Sequence, residues 1–391
     1  MGLRLYDTAQ REIVPFEPPH TVRMYVCGIT PYDSTHLGHA ATYINYDLLI
    51  RRLEELGHEV RMVRNITDVD DSILPKAREL GVPYLELAAA ETARFRSDMA
   101  ALELRPPVAE PRATEAVPQI IECVGQLLDK GHAYLSGGSA YFDVSTFPDF
   151  GKLSHYPEER MVKLARSRGG NPDDPHRRAP LDFVLWQPSL ADEPAWRAPF
   201  GAGRPGWHIE CSAMAMAEHG PTLDLHGGGT DLIFPHHECE VAQTECCTAE
   251  PFVRYWVHSA MVSYEGEKMS KSLGNLVFVS DLLKTADPRA IRLALMRHHY
   301  RAGFEWHDTD LDEGTALLRR LLAAAAATAG PDPRPYAAAV RAAIDRDLDA
   351  PKALEALDDL ASAVLSGGGD AMAPAVLREL GALLGLDLTR P

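Results

Sequence analysis

Arg23-Met24-Tyr25-Val26-Cys27, closed by Gly28, is the stretch from which the fold follows. It is a short β-run. From about Gly38 to Glu55 the apolar residues then fall at helical spacing, with Gly57 as a stop. A second apolar run, Glu59-Val60-Arg61-Met62-Val63-Arg64, leads into the polar cluster Asn65-Ile66-Thr67-Asp68-Val69-Asp70-Asp71. Strand, helix and strand in this order make a βαβ unit and predict an α/β fold with a parallel, doubly wound sheet. Ligands of such sheets sit outside the carboxyl ends of the strands, where both polar clusters fall.

The alternation returns with Thr222-Leu223-Asp224-Leu225-His226, the run Gly227-Gly228-Gly229-Thr230-Asp231, a helix from about Pro235, and Tyr255-Trp256-Val257-His258. Between the two halves lie a helical stretch from Glu115 to Lys130, a hairpin-like segment at Gly137-Gly138, and a loop rich in Arg, Gly, Asp and Pro from Arg166 to Pro180. That pattern predicts an insertion splitting the sheet. From Leu311 onward the chain is rich in Ala and Leu at helical spacing, which predicts a small C-terminal helical bundle. The expected division is residues 1–115 and 203–265 as the two halves of a Rossmann-type catalytic domain, 116–202 as the connective insertion, 266–310 as a segment starting with a phosphate loop, and 311–391 as the bundle.

No run of about 18 apolar residues and no secretory signal are visible, so a cytoplasmic enzyme without membrane contact is expected. The six cysteines are too spread for a disulfide scaffold, which favours reduced thiols, some of them on a metal. A net charge of −17 votes modestly against a polynucleotide substrate, because that affinity rests on Lys and Arg neutralising phosphates.

Three constellations carry chemistry. His36 and His39, three apart at a helix start beside Gly38, place two imidazoles where helix N-terminal amides attract an anion. Taken alone they read better as surface histidines; Gly28, Thr30 and the preceding strand turn the balance toward a nucleotide. Lys268-Met269-Ser270-Lys271-Ser272, between Gly266 and Gly274, offers two mobile cations and hydroxyl donors suited to a leaving pyrophosphate. The third is a candidate metal site of Cys27, Cys211, His236 and Glu240, whose donor types are those of zinc. His236 and Glu240 share a helix face at i,i+4 spacing. For each cysteine alone an inert buried thiol is the commoner outcome, and His237 and Glu238 suit a supporting role as well as ligation.

The residues Met24-Tyr25-Val26-Cys27-Gly28-Ile29-Thr30, Asn65 to Asp71, Gly206-Trp207-His208-Ile209-Glu210-Cys211-Ser212-Ala213, His226-Gly227-Gly228-Gly229, Phe234-Pro235-His236-His237-Glu238 and the lysine-serine loop resemble the cysteinyl-tRNA synthetase family of class I synthetases. Within it, Pro31 to Tyr43 and Arg168-Gly169-Gly170-Asn171-Pro172 are more similar to the paralogous cysteine ligases of mycothiol biosynthesis. Ser167 and Asn171 depart from the Glu-Arg-Gly-Gly-Asp-Pro pattern usual there.

The resemblance implies a class I synthetase-type Rossmann domain and an AMP-forming, ATP-dependent ligation. Cysteine and ATP, with Mg2+, give cysteinyl-adenylate and pyrophosphate; an acceptor then takes the cysteine. It implies one Zn2+ per chain on Cys27, Cys211, His236 and Glu240, gripping the substrate thiol. Cys27, Thr67, Trp207 and His226 would border the bound cysteine. Gly28, Ile29, Thr30, Gly38, Thr42 and Asn65 would line the adenylate, and Gly229, Thr230, Asp231 and the backbone of Val262 would hold the adenosine end. His36, His39, Lys268 and Lys271 would carry catalysis by stabilising developing charge. Residues 266–310 would include a stem-contact-like segment.

Two acceptors remain open: the amine of a glucosaminyl-inositol, giving an amide, or the terminal ribose of tRNA, giving an ester. Synthetases keep a glutamate at the position of Glu240 and the ligases generally do not, which is a synthetase feature in a ligase-like frame. Against tRNA, Asp347 to Leu354 is followed by fewer than 40 residues where synthetases continue into an anticodon-gripping domain, and Leu311 to Pro391 carries 8 basic against 12 acidic residues. A monomeric ligase with the aminosugar-inositol acceptor is the preferred expectation. A compact synthetase, a ligase using another amine and an inactive binding protein are the alternatives.

Overall fold

The computed structural model describes residues 2–269 and 274–390. Its centre is a four-stranded parallel sheet in the order Val253–Ser259, Leu223–Gly229, Thr21–Ile29, Glu59–Ile66. The strands are buried on both faces, which is why they read as near-continuous apolar runs. The Leu37–Glu55 helix crosses between one outer pair, and the Glu238–Thr248 helix between the other. The halves, some 200 residues apart in sequence, meet where Leu225 faces Met24, His226 faces Tyr25 and Gly227 faces Val26. Gly227 is obligatory here, since a Cβ would sit 2.4 Å from the Val257 carbonyl oxygen and 2.2 Å from the Tyr46 hydroxyl. This central pair is the switch point of the sheet, and its carboxyl ends open a crevice.

The insertion is built on a five-stranded antiparallel sheet in the order Ala133–Ser136, Ser139–Phe142, Phe183–Gln187, Gly201–Pro205, Trp196–Ala198. Between its second and third strands runs the Glu158–Ser167 helix, followed by a loop. At the other end, helices Asp308–Ala325, Arg334–Ile344, Ala350–Leu365 and Ala373–Leu383 form the bundle. They share one apolar core with the Leu37–Glu55 helix, while a second core on the opposite face joins the Trp207–His219 and Glu238–Thr248 helices to the insertion. Two helices, Ile73–Leu80 and Tyr84–Ala101, occupy a region whose elements the sequence pattern left unassigned. Among the described residues no helix is long and apolar enough to cross a membrane.

One buried ion pair fastens the bundle to the sheet domain. Asp47 on the Leu37–Glu55 helix pairs with Arg292 on the Pro288–Met296 helix, and both side chains are almost fully buried. The arginine fork is further used by the carbonyls of Leu384 at 2.8 Å and Leu102 at 3.1 Å. Asp47 also accepts from Arg51 Nε and the backbone N–H of Arg105, each at 2.7 Å. Burial opposes the charge on Asp47, but Arg292 and Arg51 beside it hold its carboxyl below the usual carboxylate range. Burial draws the Arg292 guanidinium down as well, without removing its charge.

Replacing Asp47 by Asn is therefore expected to cost about 3 to 5 kcal/mol of unfolding free energy in denaturant titrations, because Arg292 is left buried without its counter-ion. The wild-type contribution of Asp47 should be complete above its unfolded pKa of about 3.9 and fade as pH falls through the lower folded value, so the mutant's deficit should shrink in acid.

Candidate active site and metal centre

The Thr21–Ile29 strand delivers Cys27, Gly28 and Ile29 to the crevice, and its neighbour delivers His226 to Gly229. A cavity of about 1000 Å3 opens there, lined among others by Cys27, Gly28, Thr30, His39 and Trp207. Gly28 donates its N–H to Asn65 Oδ1 at 2.8 Å, and a Cβ on it would lie 1.6 Å from the Asn65 carbonyl oxygen. Only glycine fits that approach. Asn65 in turn donates from Nδ2 to Thr67 Oγ1 at 3.0 Å. Asn65 and Thr67 thus brace the cavity wall from behind, and Ile29 and Thr30 are on it.

His36 caps the Leu37–Glu55 helix with extended backbone, its Nδ1 accepting from the Gly38 N–H at 3.1 Å. That bond puts the proton of a neutral ring on Nε2. His39 stacks on it with ring centroids 3.9 Å apart, so the two imidazoles come together at the helix N-terminus through the cap rather than through helical spacing. Both line the cavity, as do Gly38 and Thr42, whose hydroxyl donates to the Gly38 carbonyl at 3.0 Å. An anion placed there would meet two imidazoles and the helix amides.

On the facing strand, Gly229 and Asp231 line the cavity, and Thr230 is held by its N–H on the Ser259 carbonyl at 2.8 Å. Val262 is buried behind Met261, with its carbonyl accepting from the Met269 N–H at 3.2 Å, so Met261 and Met269 form the wall at that end. Lys268 ends the short strand Glu267–Lys268, paired opposite Ser263. Lys271 lies outside the described residues.

The four expected metal donors do converge. One donor atom from each of Cys27, Cys211, His236 and Glu240 lies within 4.8 Å of all the others, and the four residues are 0 to 5% exposed. The two sulfurs are 4.0 Å apart, near the edge of about 3.8 Å of a tetrahedron with zinc–sulfur bonds of about 2.3 Å. Glu240 Oε1 is 3.7 Å from Cys27 Sγ and 3.0 Å from His236 Nε2. Around the donors stands a second layer of side chains that orients them. His226 Nε2 lies 3.0 Å from Glu240 Oε2, His208 Nδ1 lies 2.9 Å from His236 Nδ1, and Trp207 stacks on His236 at 4.2 Å.

The charges are arranged for a cation. A hydrogen bond from Cys27 pulls the Cys211 thiol down to about 6, while burial pushes Cys27 well up. Burial works against charge on Glu240 and His236 too. Neighbouring His226 and His236 nevertheless hold Glu240 at about 2, and Glu240 with Cys211 lifts His236 to about 10. Burial, followed by a neighbouring histidine, drops His208 and His258 to about 3. Two thiols, an imidazole and a carboxylate converging on one buried point are a donor set that fits zinc.

The sequence left His237 between ligation and a supporting role and gave His258 no role. His237 Nε2 is 3.2 Å from Cys27 Sγ, and its Nδ1 is 2.8 Å from His258 Nε2, whose Nδ1 meets Thr8 Oγ1 at 2.7 Å. A second donor set, Cys27 with His226, His237 and Glu240, is equally compact. It shares two members with the first, so the sets are alternatives; the first supplies two thiolates and matches zinc better. Glu238 is wholly buried and accepts N–H bonds from Gly151, Leu153 and Ser154 at 2.8 to 3.3 Å, tying the insertion to the helix that carries Glu240.

Metal analysis of the purified protein should accordingly give one zinc per chain, lost on Cys211→Ala and kept on His237→Ala. The reverse pattern would assign the second set. His226→Ala, which removes only the brace on Glu240, should weaken zinc about 10- to 100-fold in chelator competition.

Comparison with known proteins agrees with this geometry. The family profile described as tRNA synthetases class I (C) catalytic domain matches residues 13–316. The L-cysteine:1D-myo-inositol 2-amino-2-deoxy-alpha-D-glucopyranoside ligase of Thermobispora bispora is 50% identical over 390 residues, 99% of this chain and 96% of that protein. The ligase of the same name from Mycobacterium ulcerans is 49% identical, again over 99% and 96%. Among solved structures, Mycobacterium tuberculosis methionyl-tRNA synthetase in complex with methionyl-adenylate superposes with a TM-score of 0.67 at 17% identity, covering 93% of this chain and 89% of that one. That likeness shows the fold: a class I synthetase Rossmann domain. The chain belongs to the cysteine branch of the class I synthetase family, in its group of L-cysteine:1D-myo-inositol 2-amino-2-deoxy-alpha-D-glucopyranoside ligases.

Proposed function

We propose that the protein uses ATP, with Mg2+, to activate L-cysteine as cysteinyl-adenylate and passes the cysteine to the amine of the aminosugar-inositol, acting as a cytoplasmic monomer. The observation that carries this reading is the buried Cys27, Cys211, His236 and Glu240 cluster, which reaches the cavity lined by His36 and His39 through Cys27. Zinc there would supply a bond to the substrate sulfur that serine and alanine cannot match. An apolar pocket alone separates such near-isosteres by only about 1 to 3 kcal/mol.

The rest is done by the chain's own groups. Gly28, packed on the Asn65 backbone, brings the strand end to the cavity, and Trp207 stacks beside His236. In the first step a carboxylate oxygen of cysteine attacks the α-phosphorus and pyrophosphate leaves. His36 Nε2, His39 and the lysines of the 268–272 segment are proposed to meet the charge that builds on the phosphates. In the second step the acceptor amine attacks the carbonyl, forms the amide, releases AMP and gives up a proton. The open cavity of about 1000 Å3 leaves room for the acceptor after pyrophosphate departs.

Cysteine-dependent exchange of pyrophosphate into ATP should be present, and should fall by about 100-fold or more with Cys211→Ala or Lys271→Ala. Offering purified enzyme glucosaminyl-inositol or a cysteine tRNA transcript should consume the adenylate only with the former. Charging of the transcript without amide formation would overturn the acceptor assignment.

A further inference from the structure

The wall of the cavity opposite the central sheet is built by the insertion, and it carries polar groups that neither zinc nor ATP accounts for. Tyr141, on the Ser139–Phe142 strand, donates its hydroxyl to Asp174 Oδ2 at 2.7 Å. Arg177 Nε stands 3.9 Å from the same carboxylate oxygen, too far for a hydrogen bond. The Arg177 side chain is only 8% exposed, and its Nε has no hydrogen-bond partner. A buried guanidinium nitrogen left without an acceptor is costly, and one that lines a cavity is satisfied when a ligand oxygen arrives.

The loop carrying these residues is indexed on the proposed cysteine pocket. Arg168 donates to the backbone carbonyls of Asp231 and Phe234, next to Pro235 and His236. Gly170 packs its N–H on the Ala165 carbonyl at 2.9 Å, where a Cβ would also come within 2.9 Å of that oxygen. The loop therefore stands at a fixed offset from the metal donors. Its chemistry is that of polyol recognition: a guanidinium only donates, a carboxylate only accepts, and neighbouring ring hydroxyls can do both at once. Tyr141 adds a phenol hydroxyl able to play either part. Asp70 and Asp71, the latter paired with Arg204, are also on its lining, a carboxylate edge that suits an acceptor entering as an ammonium.

We propose that Tyr141, Asp174 and Arg177 form a hydroxyl-binding subsite that holds the inositol end of the acceptor while its amine meets the activated cysteine. This rests on the function proposed above and adds the residues that choose the acceptor. Zinc-loaded wild type, Arg177→Gln and the milder Tyr141→Phe are compared in two assays: cysteine-dependent pyrophosphate exchange, and amide formation with glucosaminyl-inositol or with glucosamine, which lacks the inositol. Exchange should stay within about twofold of wild type, while KM for glucosaminyl-inositol rises about tenfold or more in Arg177→Gln and less in Tyr141→Phe. KM for glucosamine should stay level. An unchanged KM for glucosaminyl-inositol in both variants, or an equal rise for both acceptors, would overturn the subsite. Parallel loss of exchange in both variants would likewise overturn it, assigning the trio to holding the wall. Absence of exchange in the wild type would instead bring down the function on which it rests.

Discussion

The structure depends on four ionisable side chains being held together in a dry interior. Cys27, Cys211, His236 and Glu240 come from both halves of the sheet and are all buried. Removing a carboxylate, an imidazole and a thiolate from water costs far more than apolar packing returns unless each charge is answered. Here each is: the carboxylate by two imidazoles, and the thiolate by a neighbouring thiol and His236. The parallel pairing of Thr21–Ile29 with Leu223–Gly229 makes this convergence possible, and the glycines of the second strand let the Leu37–Glu55 helix and its neighbour come close enough.

The βαβ units were legible because doubly buried parallel strands leave uninterrupted apolar runs, and helices such as Leu37–Glu55 end at a glycine. The insertion was legible as a change of pattern, but its five-stranded sheet was not: strands such as Trp196–Ala198 are too short and too exposed to leave a periodic signal. Metal donors were recognisable by type and by motif, while their meeting depends on strand order, which spacing alone does not encode. His237 stayed undecided and His258 escaped for a related reason. A histidine between His236 and Glu238 reads equally well as ligand or bystander until its hydrogen bonds to Cys27 and His258 are seen. His36 shows the opposite case, since it belongs with His39 as expected but serves as a helix cap.

The division of labour between the two cores follows from the sheet. On one face the bundle and the Leu37–Glu55 helix are locked by Asp47 and Arg292, which fixes the helix whose N-terminus carries the imidazole pair. On the other, Glu238 ties the insertion to the helix that begins after His236. On the function proposed above, nucleotide chemistry and sulfur recognition are thus anchored to separate cores that meet at the crevice. In the reading proposed above, acceptor choice falls to the insertion wall.

The central claim is that a metal held by Cys27, Cys211, His236 and Glu240 selects cysteine by binding its sulfur. The most direct measurement is the absorption spectrum of cobalt-substituted protein titrated with L-cysteine and, separately, L-serine. A sulfur-to-cobalt charge-transfer band that grows with cysteine and not with serine is the predicted result. A spectrum that cysteine leaves unchanged at saturation would contradict it.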